Sequence, residues 1–528
     1  MKTFLLVSGL ALSLGLNPVP AFAQPKAGDL VFQTGFEETN VLQTWQAGRN
    51  PRVRLEAGWQ SLQSLSLSAP VGVASNASVH VSLPVEKLRG ALLQCRAMVK
   101  ADGVTAPPKP WNGIKFMLHL NGPGGQQWLQ QDKLSGTFDW KMVQFKASVP
   151  ADVTSAELVL GLEAVNGRAQ FDDIKITVQR GPRVRPATPP PGPVFTGHDE
   201  PRLRGAMIHP GITPESLRVL GQDWKANVIR WQLIRSGAAA KMTTTLAEYD
   251  GWLEGELRKL EAALPLCEKY GVRVVLDLHS PPGGKPTSGG YVGSDSGLFT
   301  DKAAQDKFVE VWQLMARRFR DSKVIWGYDL ANEPVEDEVA EGCEDWQALA
   351  TRTARAVREI DAKHAIIIEP APWGGPDALK NLDPLPVPGI VYSVHMYVPH
   401  QFTHQGVYGG ATGVSYPGLI AGKQWDKEQL RRALQPVRDW QRDYGVQIYL
   451  GEFSAIRWAP DDSAYRYLKD CIELFEEFGW DWSYHAFREW SGWSVDHGSD
   501  KQDTAPSQTP TSREKLLRSW FEKNAKPK

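Results

Sequence analysis

The stretch VIWGYDLANEP, residues 324–334, decides the fold because it reads as a buried strand that ends in a charged group. Its apolar half predicts a strand covered on both faces, and its last residues are Asn332, Glu333 and Pro334. A carboxylate at the end of such a strand costs free energy unless something at that place needs it. The stretch therefore predicts a covered sheet and a use for the carboxylate at its edge.

Seven further segments after residue 202 have the same character, and helical patterns lie between them. Together with VIWGYDLANEP, the predicted strands are LRGAMIHP, ANVIRWQL, GVRVVLDLH, AIIIEPAPW, IVYSVHMYV, VQIYLGEF and GWDWSYHAF. Apolar strands that alternate with helices indicate a parallel sheet covered by helices. Eight such units within residues 202–528 predict an α/β fold, a (β/α)8 TIM barrel with long loops. A doubly wound open sheet is the alternative, which the lack of a GxGxxG motif after the first strand disfavours.

The region before the barrel has a different pattern. In GIKFMLHL (residues 113–120) and DDIKITVQ (residues 172–179), apolar side chains alternate with polar ones, which is typical of half-buried strands. We therefore predict a jelly-roll-like β-sandwich over residues 24–180. The proline-rich residues 181–201 predict a semi-rigid linker, because prolines favour extended polyproline geometry.

The first 23 residues predict a signal peptide. Lys2 gives the positive start, an apolar run follows, and Ala21-Phe22-Ala23 supplies a cleavage site. A membrane anchor is the alternative, but the apolar run is shorter than the ~20 residues that a span requires. We expect a secreted or periplasmic protein that has no membrane span. Most of the cysteines are expected to be buried thiols, and a single disulfide is the alternative. The cysteines are Cys95, Cys267, Cys343 and Cys471.

Two predicted strand ends carry glutamates that can face one cleft. Glu333 follows the fourth predicted strand and Glu452 ends the seventh, in IYLGEF. In a parallel barrel the carboxyl ends of the strands form the active-site rim. A pair of carboxyl groups across a cleft is what glycosidic cleavage needs, one to donate a proton and one to act as an anion.

Residues about 203 to 520 resemble glycoside hydrolase family 5, a retaining family built on this barrel. The matching residues are Arg230 in NVIRW, His279 in LDLH, Asn332, Glu333 and Pro334 in LANEP, His395 and Tyr397 in VHMY, and Glu452 in GEF. The resemblance implies that Glu333 is the general acid/base and Glu452 the nucleophile. It implies that Asn332 binds the sugar 2-hydroxyl and that Arg230 and Tyr397 orient Glu452. His279 and His395 would bind sugar hydroxyls or support the acid.

One position departs from the family pattern. The family usually has a tryptophan at the end of strand eight, whereas WDWSYHAFREWSGWS (residues 480–494) has His485 near that place. We expect Trp490, from the following turn, to bind substrate instead. A metal site formed by Asp277, His279, His395 and Glu452 is a further alternative, disfavoured because these residues form neither an HExxH motif nor a closely spaced histidine pair.

The termini of the first domain, LVFQTGFEE and FDDIKITV, resemble those of jelly-roll carbohydrate-binding modules. Trp111 and Trp128 are the candidate sugar-binding residues there. The alternative is a domain that only stabilises or spaces the barrel.

These observations predict a retaining endo-β-glycanase, a glycoside hydrolase of the cellulase kind that acts on β-1,4-glucan. No cofactor is expected, and the partner is a polysaccharide or oligosaccharide substrate bound by a monomer. The 59 basic and 60 acidic residues leave a net charge of −1, which gives no argument for nucleic acid. The same chemistry on mannan, xyloglucan or β-1,3-glucan remains open, as does a glycan-binding protein without hydrolysis.

Overall fold

The computed structural model describes residues 24–46, 50–70, 75–131, 134–183, 192–235, 245–283, 297–336, 339–340 and 342–525. The predicted signal peptide and the centre of the predicted linker, residues 184–191, lie outside the described residues. Contacts within the chain divide it into two compact units, with the boundary after Arg183.

In its described part, the first unit consists of two antiparallel sheets. Its elements are β1 (Leu30–Thr34), α1 (Val41–Thr44), β2 (Val53–Glu56), β3 (Ser64–Ala69), β4 (Ser75–Ser82), β5 (Leu92–Val104), β6 (Gly113–Gly122), β7 (Gly125–Gln130), β8 (Gly136–Ser148), β9 (Ser155–Val165) and β10 (Gly167–Arg180). One sheet has the order β2-β3-β10-β5-β8, with β1 paired to β10, and the other has the order β4-β9-β6-β7. Phe116 of the second sheet meets Phe145 of the first with ring centroids 5.2 Å apart. The two sheets therefore share one apolar core.

Strand β6 is more deeply covered than its alternation predicts. Ile114, Phe116 and Leu118 are buried, as expected for the core face. On the opposite face Lys115 and Met117 are also buried. The Lys115 ammonium lies 2.6 Å from a Glu163 carboxylate oxygen, so its charge is paired.

The second unit is a closed parallel barrel. Its strands are β11 (Arg204–Ile208), β12 (Val228–Gln232), β13 (Arg273–Asp277), β14 (Ile325–Asp329), β15 (Ala365–Ile368), β16 (Ile390–Met396), β19 (Ile448–Phe453) and β20 (Asp481–Phe487), with a small hairpin of β17 (Gly418–Ile420) and β18 (Lys423–Trp425) outside the barrel. Strand β11 pairs in parallel with β20, which closes the sheet. The predicted TIM barrel is confirmed, and the open-sheet alternative is wrong.

Helices follow most of the barrel strands. They are α2 (Pro214–Arg218), α3 (Leu246–Tyr270), α4 (Lys302–Phe319), α5 (Trp346–Arg358), α6 (His400–Thr403), α7 (Lys427–Tyr444), α8 (Ser463–Phe478) and α9 (Ser512–Phe521). The longest, α3, begins with a reciprocal hydrogen-bonded cap between Thr245 and Glu248 and ends at Gly271, where a φ of 68° suits glycine. Within the described ranges, no helix combines the length and apolar character that crossing a membrane requires. All four cysteines are free thiols, three buried and Cys343 half-buried.

The inward-facing positions of the barrel change character along each strand. At the amino-terminal end they form a small apolar cluster that includes Val228, Val275, Ile367 and Val391. Two residues further along β12, β13 and β15 the same row continues with Arg230, Asp277 and Glu369, all buried. The carboxyl end of the barrel therefore gathers charged side chains that the fold has buried.

Candidate active site

Glu452 lies within β19, with 5% of its side chain exposed. Its Oε1 accepts a hydrogen bond from Arg230 at 2.7 Å, and its Oε2 accepts one from the Tyr397 hydroxyl at 2.8 Å. Ring nitrogens of His395 and His485 lie 3.7 and 3.6 Å from the same Oε2. Burial raises the pKa of Glu452, but the charges of these histidines and the arginine outweigh it and hold the pKa well below its ordinary value of 4.5. The Glu452 carboxyl group is therefore held as an anion.

Arg230 joins several acidic side chains at the barrel mouth. It is fully buried, and it donates hydrogen bonds to Asp329 Oδ2 at 2.9 Å, Asn332 Oδ1 at 3.0 Å, Glu369 Oε1 at 2.8 Å and Glu452 Oε1 at 2.7 Å. The rigid, planar guanidinium fixes the directions of all four bonds. Burial raises the pKa of Asp329 well above its ordinary value, which favours the neutral form of that acid. Arg230 therefore orients Glu452 together with the side chains that surround it.

Glu333 follows β14 on a turn, and 22% of its side chain is exposed. Its backbone has a φ of 45°, a conformation that residues other than glycine rarely adopt. The Glu333 N–H donates to Glu369 Oε2 at 2.7 Å, which supports this conformation. Its Oε1 lies 2.8 Å from His395 Nδ1. Glu333 therefore faces the cleft on a backbone that a buried carboxylate holds in place.

His395 stands between the acidic groups. Its Nδ1 contacts Glu333 and its Nε2 lies 3.1 Å from Glu369 Oε1, at ion-pair distance. Burial lowers the pKa of His395, but the carboxylates of Glu369 and Glu452 outweigh it and hold the pKa well above 6.5. His395 is therefore an imidazolium at neutral pH.

His279 and Asn332 form a second pair at the mouth. His279 Nδ1 is hydrogen-bonded to Asp277 Oδ2 at 2.8 Å, and its Nε2 lies 3.3 Å from Asn332 Nδ2. Arg230 and His279 together fix the orientation of the Asn332 amide, which lies beside Glu333 in the sequence. The predicted site residues Arg230, His279, Asn332, Glu333, His395, Tyr397 and Glu452 are thus brought together at one end of the barrel.

The end of β20 supplies a polar group next to Glu452. His485 Nδ1 lies 2.5 Å from the Tyr397 hydroxyl oxygen, and its Nε2 lies 3.4 Å from Glu489 Oε2. Trp490 is 40% exposed and meets the Trp493 ring at 5.7 Å. The Trp493 ring lies 5.8 Å from His485 and is buried. The Trp490 ring is therefore separated from His485 by another indole, and its role in binding stays a prediction.

Besides Asp329, sequence reasoning missed two carboxylates of this site. Glu369 directly follows β15 in IIIEP, a Glu-Pro pair after a strand like that of LANEP, and that similarity could have found it. Glu489 lies in the turn after β20, where the family pattern directs attention to a tryptophan and gives no sign of an acid. Both are recognised by their partners, His395 and His485 respectively.

Three possible metal-ligand atoms at the barrel mouth lie close enough together to contact one cation. One ligand atom each from Glu333, His395 and Glu452 lie within 4.8 Å of one another. An imidazolium has a hydrogen on both nitrogens and offers no lone pair to a metal, and both nitrogens of His395 face carboxylates. The donor set therefore fits an ion-paired cluster better than a metal centre.

The barrel and its mouth define the class of the protein. Glu452 is buried among cations and the neighbouring Glu333 is open to the cleft. Glycoside hydrolases use two such carboxyl groups for catalysis. The family model described as cellulase, glycosyl hydrolase family 5, matches residues 199–494, more than half of the chain. The chain belongs to glycosyl hydrolase family 5.

Individual relatives agree with this membership. Endoglucanase C of Acetivibrio thermocellus is 30% identical over 262 residues, which cover 44% of this chain and 73% of that protein. Cellodextrinase A of Ruminococcus flavefaciens is 25% identical over 246 residues, covering 45% of this chain and 70% of that protein. A solved structure described as a glycoside hydrolase is 26% identical with a TM-score of 0.50, covering 61% of this chain and 99% of that one. The relatives thus cover the barrel, and the protein is a glycoside hydrolase.

Proposed function

We propose that this protein is an exported, retaining endo-β-glycanase that hydrolyses β-1,4-glucan-type polysaccharides by double displacement. The observation that carries the proposal is that a carboxylate oxygen of Glu333 and one of Glu452 lie within 4.8 Å of each other. Retaining enzymes hold their carboxyl groups ~5–5.5 Å apart, whereas inverting enzymes need ~6.5–9.5 Å to admit a water molecule. The short separation supports direct attack by a carboxylate.

In the first step, the Glu452 anion bonds to the anomeric carbon while the bond from that carbon to the glycosidic oxygen breaks, and Glu333 gives its proton to that oxygen, which leaves as an alcohol. The cations around Glu452 keep it ionised, and its hydrogen bonds with Arg230 and Tyr397 aim its oxygens. The Asn332 amide would donate to the sugar 2-hydroxyl, a contact that strengthens in the oxocarbenium-like transition state. In the second step, Glu333 takes a proton from water, the water oxygen attacks the anomeric carbon, and Glu452 leaves as the carboxylate.

Exposed aromatic side chains support a polysaccharide substrate. Trp373 is 43% exposed, and its backbone N–H donates to the Pro334 carbonyl at 3.2 Å, beside Glu333. Trp490 is exposed after β20. Indole faces suit stacking on the C–H faces of sugar rings. The names of the relatives, endoglucanase and cellodextrinase, support a β-1,4-linked glucan over the other β-glycans.

The test is reducing-sugar release from soluble β-1,4-glucan, mannan, xyloglucan and β-1,3-glucan, with Glu452→Gln as the inactive control. Release from the β-1,4-glucan is expected, with a rapid fall in viscosity because internal bonds are cut. Proton NMR of the first products should show the β-anomer before mutarotation. First release of the α-anomer would contradict double displacement, and activity confined to another glycan would correct the substrate.

We also propose that the first unit binds glycan. Trp111 and Trp128, on or beside the sheet that contains β6 and β7, are 52% and 54% exposed. The Trp128 ring stacks on His119 with centroids 3.7 Å apart, which fixes its orientation. A tethered binding unit raises the local substrate concentration for the barrel. In the full-length protein, Trp128→Ala should weaken co-sedimentation with insoluble cellulose, and unchanged binding would favour a spacer.

A further inference from the structure

The end of β20 and the turn that follows it place a charged pair, His485 and Glu489, behind a hydroxyl that contacts Glu452. Tyr397 Oη lies 2.8 Å from Glu452 Oε2 and 2.5 Å from His485 Nδ1, so one oxygen contacts both groups. Glu489 Oε2 lies 3.4 Å from His485 Nε2 and accepts a hydrogen bond from Gln232 at 2.9 Å. Glu489, His485, Tyr397 and Glu452 therefore form one continuous chain.

The chemistry of these groups assigns the hydrogens along the chain. Burial and the neighbouring Glu452 charge raise the pKa of Tyr397 well above 10, so its hydroxyl keeps its single hydrogen. An ionised carboxylate only accepts, so the Tyr397 hydrogen must point to Glu452 for that bond to form. The Tyr397 oxygen then accepts from His485 Nδ1–H. With a hydrogen also on Nε2, toward Glu489, His485 is a cation.

We propose that His485 and Glu489 are positioning residues, which direct the Tyr397 hydrogen onto Glu452 and keep a third cation, besides Arg230 and His395, beside that carboxylate. If His485 were neutral with a bare Nδ1, Tyr397 could donate to the histidine instead, and Glu452 would lose a hydrogen bond. The inference goes beyond the proposed mechanism and rests on Glu452 being its nucleophile.

The other charged groups nearby agree with this assignment. Burial lowers the pKa of His485, but Glu452 and Glu489 outweigh it and raise the pKa above 6.5, with His395 opposing. Burial lowers the pKa of His404 to about 3, so that neighbouring ring is neutral. Burial raises the pKa of Glu489, but the His485 charge and hydrogen bond outweigh it and lower the pKa below 4.5. Around Glu452 itself lie Arg230, His279, His395 and Glu333.

The test measures kcat/KM against pH with an aryl β-cellobioside that has a good leaving group. Such a substrate needs little help from Glu333, so kcat/KM reports the attack by Glu452. In His485→Phe, the acidic limb should move up by roughly one pH unit or more, because an opposite charge close to a carboxylate has been removed.

In Glu489→Gln, a new loss of about tenfold should develop as pH rises from 5 to 8. His485 would lose its proton in that range, and Glu452 would then lose the charged hydrogen bond that Tyr397 donates to it. The matched control is Glu477→Gln, at an exposed glutamate of α8 that pairs with Arg431 of α7, and it should keep the wild-type profile.

Uniformly lower activity with unshifted limbs in both variants would overturn the inference, because a merely structural role predicts that result. The wild-type profile in both variants would overturn it as well. Activity retained by Glu452→Gln would instead refute the proposed function, so the two failures are distinguishable. Thermal unfolding and circular dichroism confirm that each variant is folded before its profile is used.

Discussion

The surroundings of Glu452 and of Glu333 differ although the two residues share one barrel mouth. Glu452 is inside a strand, with 5% of its side chain exposed and cations on several sides. Glu333 is on a turn after its strand, with 22% exposed and its backbone in a left-handed conformation. The first setting fixes an anion in place, and the second leaves a carboxyl group open to the cleft. Identical side chains are thus suited to different tasks by their environment.

The largest effect is expected from removing the buried carboxylate. Glu452→Ala should lower kcat/KM by at least about 10⁴-fold, because it removes the proposed nucleophile itself. Added azide should occupy the vacated space, restore turnover of an activated aryl cellobioside and give the α-glycosyl azide. The control is Glu473→Ala, a glutamate of α8 that pairs with Lys427 and Lys469. A β-configured azide product would reverse the roles of the two glutamates.

The exposed carboxyl group should show a different pattern. Glu333→Ala should lower kcat/KM on β-1,4-glucan by about 10²–10⁴-fold, the usual contribution of general acid catalysis. An aryl cellobioside with a good leaving group should lose much less in kcat/KM, since its oxygen leaves without a proton. Azide should now attack the glycosyl-enzyme and give the β-glycosyl azide. Equal losses on both substrates would contradict the acid role.

The sequence was sufficient for the barrel and for the close grouping of its mouth residues. The period and order of the strands predict that Asn332, Glu333 and Glu452 meet, because parallel strands end at one rim. The family resemblance adds Arg230. What could not be predicted is the direction of each side chain within that rim. His485, near the place where the family has a tryptophan, is an example. One of its ring nitrogens contacts Tyr397 and the other faces Glu489, and no sequence pattern indicates either contact.

Glu369 shows a second limit of sequence reasoning. A buried glutamate at a strand end reads like many others, and its importance lies in three partners far apart in the chain. Those partners are Arg230, the Glu333 backbone and His395. Pattern and spacing give the strand but not such a set of contacts, which depends on side-chain geometry.

Glu369→Gln should therefore affect the surroundings of both Glu333 and Glu452. Glu369 accepts from the Glu333 backbone, and it contacts Arg230 and His395, which lie beside Glu452. The amide would turn an N–H toward one of three donors, and a charged hydrogen bond is worth about 1.5–3 kcal/mol. We expect kcat/KM on β-1,4-glucan to fall by about 10- to 100-fold. With one carboxylate fewer beside it, His395 should lose its proton at lower pH, so the basic limb should move down.

The matched control for this prediction is Glu359→Gln, an exposed glutamate at the end of α5. Its activity and pH profile should equal those of the wild type. Wild-type activity in Glu369→Gln would show that the Glu333 backbone and His395 hold their places without this carboxylate.

The smallest effect concerns stability in acid. Because the folded protein holds the pKa of Glu452 below its ordinary value, this residue contributes stability above its unfolded pKa of about 4.3. That contribution is lost as pH falls through the folded pKa. His395 has the opposite sign: its raised pKa contributes stability below about 6.5, lost only as pH rises through the folded value. Between pH 6 and pH 3.5, His395 stays charged and only the Glu452 contribution should change.

The difference in Tm between the wild type and Glu452→Gln should accordingly shrink on acidification. It should fall by about 2–4 °C for each kcal/mol of the Glu452 contribution to stability that is lost. Differential scanning calorimetry at pH 6, 5, 4 and 3.5 measures this difference directly. Glu473→Gln should give a smaller change, because that glutamate is only half-buried and is partly screened by solvent. A Tm difference that stays constant with pH would mean that the cations around Glu452 do not lower its pKa. The contrast between the two glutamates would then have to rest on exposure alone.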